Sequence, residues 1–408
     1  MNNNIERPLG TTEKVFWVLD QKTTTHFAVV GEIDGNATDQ EWRVALDLVQ
    51  KRHPNLSVQI SGNEYSTVHF RQVAYCPIPL RIIYSEADED WNTELEEELK
   101  MPIDTTIAPL ARAVLIQQPG QCVFMFLSNH SIGDGMSITL LIRDILTVLS
   151  GNTIENLMPM PSLDEIAGVA VDGIEMIKLP DVEQAKNNLT PRETVHIDRL
   201  KFSSELTEKL IQKSKNEKTT VHGALSAAIV LAIERLENSK DTEPVRILHP
   251  LSARKALKIG DDFGLFISFV PLPYDSSAHP TFWDFARHVR ADIACMQNAE
   301  WINAGIEGTR GLFYNGMDVK VIGEALFQGT VHEIMLTNLG QLSFSSDFGP
   351  LQLKSIWGPM ALTLHQAART IGVATFNGAL TLTLTGSTST QFLLKKVEEI
   401  IEESCQFS

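Results

Sequence analysis

Apolar positions along this 408-residue chain fall into short runs and helical stripes, and their spacing predicts most of the elements. Thr38-Asp39-Gln40-Glu41 opens a helix with Trp42, Ala45, Leu46 and Val49 on one face. It should stop before His53-Pro54, because a residue preceding proline disfavours the helical region. Residues 26–33 alternate weakly and read as a strand. Residues 56–60 and 67–73 read as a hairpin around Gly62-Asn63. Two further strands, 109–117 and 122–128, are joined by the turn signal Pro119-Gly120. His130 lies just past the second of these. Asp134-Gly135 follows, then an amphipathic run over 138–149. A buried strand thus hands a histidine to a loop, and a helix comes next; loops at strand ends are common places to present reactive groups.

The acidic stretch 86–99 reads as a solvated helix. Pro159, Pro161, Pro180 and Pro191 punctuate residues 152–192, which read as a connection between two lobes. Beyond it, 195–202 is a strand and 203–215 a helix. Residues 220–235 are apolar nearly all round, as in a buried helix. Strands follow at 245–250 and 264–271, and an amphipathic helix at 282–296. Late strands are expected at 334–340, 351–357, 372–376 and 380–384, and a closing helix at 390–404. Strands and helices are interspersed without strict alternation, and hairpins occur. This favours an α/β fold of two sandwich lobes with mixed sheets and a cleft between them, over a doubly wound fold or a TIM barrel. The expected division is an N-terminal lobe over 1–180, a linker over 181–192 and a C-terminal lobe over 193–408.

Composition narrows the function. Hydrophobic residues are 43% and charged residues 21%, enough for a packed core. The formal net charge of -17 argues against a nucleic-acid or anionic-membrane binder. Cys76, Cys122, Cys295 and Cys405 form no Cys-x-x-Cys pair, and a reduced cytoplasmic protein is expected. The first residues lack a signal-type apolar core, and no run reaches the ~20 apolar residues of a membrane span. The phosphate-loop, dinucleotide, nucleophile-elbow and His-Glu-x-x-His patterns are all missing, so no metal site is expected. Asp347-Phe348-Gly349 lacks the companion motifs of a kinase and reads as an architectural turn.

His130-Ser-Ile-Gly-Asp134-Gly135 remains. From residue frequencies, about 0.03–0.05 chance matches to His-x-x-x-Asp-Gly are expected in a chain like this. The motif resembles the signature of the chloramphenicol acetyltransferase-like superfamily, which includes the plant BAHD acyltransferases, nonribosomal peptide condensation domains and polyketide-associated acyltransferases that esterify phthiocerol-type alcohols. The resemblance covers nearly the whole chain. Arg7-Pro-Leu-Gly with Glu13, Arg52-His53-Pro54, Pro102-Ile-Asp104 and Pro109-Leu-Ala-Arg112 match its first half. Thr220 to Ala228, Pro250-Leu-Ser-Ala-Arg254, Thr337-Asn338-Leu-Gly340 and Asn377 to Leu384 match its second. Condensation domains usually double the histidine; here Asn129 takes the first place, which shifts weight toward a free-standing ester-forming enzyme.

The resemblance implies an acyltransferase of the HxxxD type, with His130 as general base. It implies that Asp134 turns from the substrate and pairs with an arginine of the other lobe, for which Arg254 is the candidate. Gly135 is expected to allow close backbone approach, with an amide that can face the oxyanion. Asn338 is the candidate substrate-binding residue. Ser343, Ser345 and Ser346 are nearby polar groups without an assigned role. The donor is an acyl-coenzyme A or acyl-carrier-protein thioester, acting as co-substrate rather than bound cofactor. The acceptor is an alcohol, or alternatively an amine. A cytoplasmic monomer in polyketide, lipid or other specialised metabolism is expected, without nucleic-acid partners. A stand-alone amide-forming condensation enzyme and a catalytically silent binding homologue are the alternatives.

Overall fold

Most of the short apolar runs become strands of two six-stranded mixed sheets. The computed structural model describes residues 5–62, 67–86, 90–169, 178, 191–237, 243–314, 317–363, 365, 367–388 and 391–406. In spatial order the first sheet is Asp347–Phe348, Leu351–Ala361, Phe27–Asp34, Gln121–Ser128, Ala111–Gln118 and Leu80–Tyr84. The second is Ile267–Tyr274, Val245–Ser252, Ile334–Gln341, Arg369–Phe376, Ala379–Gly386 and His196–Lys201. Each combines parallel and antiparallel pairs. A small third sheet joins Glu6–Pro8, His69–Gln72 and Val58–Ser61.

The strand ahead of the histidine is apolar at almost every position because both of its faces are covered. Phe124 and Phe126 point into one core, with Ile138, Leu141, Ile142 and Ile145 of the Gly135–Leu149 helix. Val123, Met125 and Leu127 point the other way, toward Trp91, Leu95, Leu99 and Trp357. The second sheet carries its own core, roofed by the buried helix Val221–Glu237 and by Phe282–Ala294 and Gln391–Gln406.

One late strand crosses between the halves. Leu351–Ala361 pairs antiparallel with Phe27–Asp34, from Gln352 opposite Asp34 to Ala361 opposite Phe27. It also touches the second sheet, where Thr381 Oγ1 donates to the Ile356 carbonyl at 2.7 Å. A Cβ on Gly372 would sit 2.2 Å from the Pro359 carbonyl, so only glycine fits there. The expected C-terminal lobe, 193–408, thus lends strands to the first sheet, and neither half is a single stretch of chain. Of the expected linker 181–192, residues 181–190 lie outside the described residues, as do Asn63 of the first hairpin and Thr390 of the closing helix.

Several bounds differ from the sequence pattern for local reasons. The acidic helix is Asn92–Lys100, shorter than 86–99. The strand expected at 264–271 is Ile267–Tyr274, because Gly264 and the Phe266 N–H bond to Asp134 and Ser137 instead of a sheet partner. Helices Ala299–Arg310 and Val319–Gly329 have no counterpart in the sequence reading. The first buries little beyond Ile302 and Ile306 and contains Gly305 and Gly308, which blur a helical stripe. Among the described residues no single helix is long and apolar enough to cross a membrane.

Candidate functional site

The histidine loop begins where the Gln121–Ser128 strand ends. Asn129 is fully buried, and its backbone N–H donates to the Leu110 carbonyl at 2.9 Å. Its side chain bridges two segments. The carboxamide oxygen accepts from Ser131 N at 2.9 Å, and Nδ2 donates to Asp20 Oδ2 at 3.2 Å. Asp20 closes the Thr11–Asp20 helix and also accepts from the backbone N–H and hydroxyl of Thr25. Burial pushes its carboxyl up to about 6, against the pull of those hydrogen bonds. Asn129 therefore braces the loop against the first helix.

His130 is half-buried, with its imidazole between two aromatic rings. Phe16 stacks on it at 4.0 Å between centroids and 19° between planes, and Phe27 lies at 4.3 Å and 35°. Nδ1 is buried without a hydrogen-bond partner. Burial lowers the imidazole pKa to about 4; the carbonyls of His130 and Gly133 and the charge of Asp134 offset only part of this. The ring is neutral at pH 7.

Asp134 caps the Gly135–Leu149 helix, and Oδ1 accepts from Ser137 N at 2.8 Å. Arg254 Nη2 donates to the same oxygen at 3.2 Å and to Ser137 Oγ at 2.8 Å. Oδ2 accepts from Phe266 N at 3.1 Å. Arg254 is held in turn by the carbonyls of Gly260 and Asp262, and its guanidinium lies 4.9 Å over the Phe266 ring. The structure thus brings Asp134 and Arg254 together and ties the histidine loop to the 260–266 segment of the second half. Gly135 opens the helix at a tight contact: a Cβ there would sit 2.3 Å from Pro359 Cγ and 3.1 Å from Leu339 Cδ2.

His130 forms part of the wall of a cavity of about 80 Å³ between the two halves. Phe16, Leu19, Ala361 and Leu362 line it, and so do Leu248, Pro250, Ile267, Phe269 and Met335. Thr25, Thr330, His332 and Thr363 are the other polar residues on its wall. Among the described residues no serine, cysteine or lysine lines it. Cys122, on the histidine strand, is buried elsewhere, and its thiol is pushed up to about 12 by burial. Asn338 is not part of this wall. It lies further along the strand that carries Met335, and its carboxamide oxygen accepts from Gly340 N at 2.7 Å, supporting the irregularity in that strand where Gly340 has φ +74°. Asp347 likewise makes a local turn, with its carboxylate accepting from Gly349 N at 2.9 Å. Among the described residues, no three His, Cys, Asp or Glu side chains are grouped to hold a metal ion.

Four residues of this site were not singled out in the sequence. Phe16 reads only as part of the apolar patch 15–19 and Phe27 as part of the weakly alternating strand 26–33, although they enclose the imidazole. Asp20 is distant in the chain from the Asn129 it holds, and no local pattern links them. His332 stands alone in a polar turn ahead of a strand.

Comparison with known proteins agrees with this fold. The family described as phthiocerol/phthiodiolone dimycocerosyl transferase C-terminus matches residues 191–259, a stretch that includes Arg254. Gramicidin S synthase 2 of Aneurinibacillus migulanus is 24% identical over 324 residues, which is 72% of this chain and 7% of that protein. The chain therefore spans only a small part of this curated relative. Among solved structures, polyketide synthase associated protein 5 from Mycobacterium tuberculosis superposes with a TM-score of 0.68 at 15% identity, covering 100% of this chain and 98% of that one. The condensation domain of the monacolin K polyketide synthase gives 0.70 at 12% identity, covering 98% of both. The chain has the two-lobed, chloramphenicol acetyltransferase-like fold of these structures.

Proposed function

We propose that this chain is an acyltransferase that moves an acyl group from a coenzyme A or carrier-protein thioester to an alcohol, with His130 as general base. The observation that carries the reading is a neutral imidazole, sandwiched between Phe16 and Phe27, opening onto an apolar cavity between the halves. A neutral imidazole can take the hydroxyl proton as the oxygen attacks the thioester carbonyl carbon. A new C–O bond forms and a tetrahedral intermediate results. Its collapse breaks the C–S bond, and the imidazolium returns the proton to the departing thiolate. The products are an ester and a free thiol. Among the described residues the cavity wall offers no serine or cysteine nucleophile, which favours direct transfer over a covalent acyl-enzyme. Asp134, Arg254 and Gly135 act by holding the loop.

The test is thiol release from a panel of acyl thioesters, with and without alcohols. Release that depends on the acceptor is expected. His130→Ala should lower it by about 10²–10⁴-fold at an unchanged melting temperature. A folded His130→Ala protein turning over at the wild-type rate overturns the assignment. Release without acceptor indicates a hydrolase, and no release across a broad panel indicates a silent binding homologue. Amide formation is the second reading, favoured by the match to gramicidin S synthase 2; amines replacing alcohols in the same assay decide between them.

A further inference from the structure

Three segments surround the imidazole of His130, and one side chain bonds them together. Phe16 comes from the Thr11–Asp20 helix, Phe27 opens the Phe27–Asp34 strand, and His130 sits on the loop after Gln121–Ser128. Asp20 stands one helical turn beyond Phe16, on the same face of its helix. Its Oδ1 accepts from Thr25 N at 2.8 Å and from Thr25 Oγ1 at 3.0 Å, just ahead of Phe27. Its Oδ2 accepts from Asn129 Nδ2 at 3.2 Å, next to His130 in the chain.

The direction of the last bond is fixed. A backbone N–H only donates, so the carboxamide oxygen of Asn129 is the end at Ser131 N, and Nδ2 is the end at Asp20. Asp20 must therefore accept there. Among the described residues no cation pairs with its carboxylate, which is held by these three donors alone. A carboxylate withdrawn from water without a cation is unfavourable, so packing alone gives no reason for one at this place. The imidazole has few bonds of its own, since Nδ1 has no partner. Its position depends on the two aromatic rings and on the loop. That loop is tied at its far end through Asp134 and Arg254, and at its near end through Asn129 and Asp20. Protonating Oδ1 reverses only the Thr25 hydroxyl bond and leaves Oδ2 accepting, so the tie does not follow the titration of Asp20.

We propose that Asp20 is a positioning residue for the transfer step, acting through Asn129 to hold the His130 imidazole between Phe16 and Phe27 where it can take the acceptor's proton. The inference rests on His130 being the general base. Asp20 is not on the cavity wall, so its loss should act on the chemical step and leave ligand binding nearly unchanged.

The test reverses the polarity of one hydrogen bond. In Asp20→Asn either orientation of the new carboxamide sets one N–H against another, at Asn129 or at Thr25. Adding Asn129→Asp restores the bond with donor and acceptor exchanged, still accepts from Ser131 N, and keeps the net charge. Transfer is measured at about pH 8, well below each protein's melting temperature, and the His130 ring protons are followed by NMR on protein with 13C-labelled histidine, assigned by their loss in His130→Ala. Asp20→Asn should lower kcat by about 10–100-fold with KM changed by less than about three-fold. It should also move the ring protons away from the upfield position given by stacked Phe16. The double variant should return kcat to within about three-fold of wild type and the ring protons to their original position. A folded Asp20→Asn protein with wild-type kcat and unmoved ring protons overturns the proposal, as does a double variant no better than the single one. Should Asp20→Asn not fold, Asn129→Ala cuts the same bond, leaves Thr25 bonded to Asp20, and takes its place with the same two outcomes. If no transfer is found in the wild type, the ring protons decide alone: displacement and recovery keep Asp20 as the residue that positions the imidazole while the acyltransferase reading falls. Transfer in the wild type with ring protons unmoved in Asp20→Asn has the opposite meaning.

Discussion

The pairing of Asp134 with Arg254 makes the firmest quantitative prediction. The two side chains are 4% and 11% exposed, so their charges are largely removed from water. Asp134→Ala removes the helix cap, which costs about 0.5–2 kcal/mol. It leaves Phe266 N without its acceptor, about 1–3 kcal/mol if buried. It also leaves Arg254 without its carboxylate, and breaking a buried pair by deleting one partner costs about 3–5 kcal/mol. These losses overlap, and the expected total is about 3–5 kcal/mol. Arg254→Ala should cost less, about 1–3 kcal/mol, because Asp134 keeps the Ser137 and Phe266 donors. In the double variant the charge that Asp134→Ala would strand is already gone. A coupling of about 1–3 kcal/mol is therefore expected. Urea unfolding followed by tryptophan fluorescence measures all four proteins, compared at equal denaturant dependence. Single losses that add to within about 0.5 kcal/mol refute the coupling and the claim that this pair anchors the histidine loop.

The pH dependence of transfer follows from the depressed pKa of His130. The base works when neutral, so kcat/KM should stay on its plateau from neutral pH down to about pH 5 and be halved near pH 4. An acidic limb at the ordinary histidine pKa of about 6.5 would contradict the burial argument. Phe16→Ala uncovers one face of the ring, and NMR titration of the imidazole should then show a midpoint shifted upward toward 6.5. The same shift affects stability: with the folded pKa below the unfolded one, the contribution of neutral His130 is present above pH 6.5 and is lost as pH falls toward 4. Two glycines give a contrast. Gly135→Ala drives a methyl against Pro359 and should cost about 1–3 kcal/mol, whereas Gly305→Ala meets nothing within 4 Å inside a helix and should be neutral or stabilising by up to about 1 kcal/mol in thermal melts. Equal effects at both positions would show that the contact with Pro359 does not matter.

Elements whose sequence carries an unbroken apolar run or one strong period were legible. The histidine strand, its loop and the following helix lie where the apolar runs place them, because both faces of that strand are covered and Asp134 caps the helix. The two mixed sheets followed from the interspersed hairpins and helices. What escaped depends on partners far away in the chain. Asp20 meets Asn129 across 109 residues of chain within the first half, and His332 joins the His130 cavity only after the halves dock. The carboxamide oxygen of Asn338 accepts from Gly340 N, a local bond that its motif does not announce. Asn129 was read as a mark separating classes of reaction, and its packing shows that it also bonds the first helix to the loop. The return of Leu351–Ala361 to the first sheet has no signal in local composition, since a strand run does not name its neighbour.

That returning strand sets a timetable for the molecule's birth. On a ribosome adding about 5–20 residues per second, the Phe27–Asp34 segment emerges roughly 15–60 s before Leu351–Ala361 exists to pair with it. Throughout that interval one side of the nascent strand shows unpaired N–H and C=O groups, a template for pairing with other chains. Holding chaperones are needed most in this window, and a translation pause before residue 361 prolongs the hazard. Cutting the gene between the lobes gives a first fragment with this edge permanently open, which should aggregate unless the second fragment is co-expressed to close it.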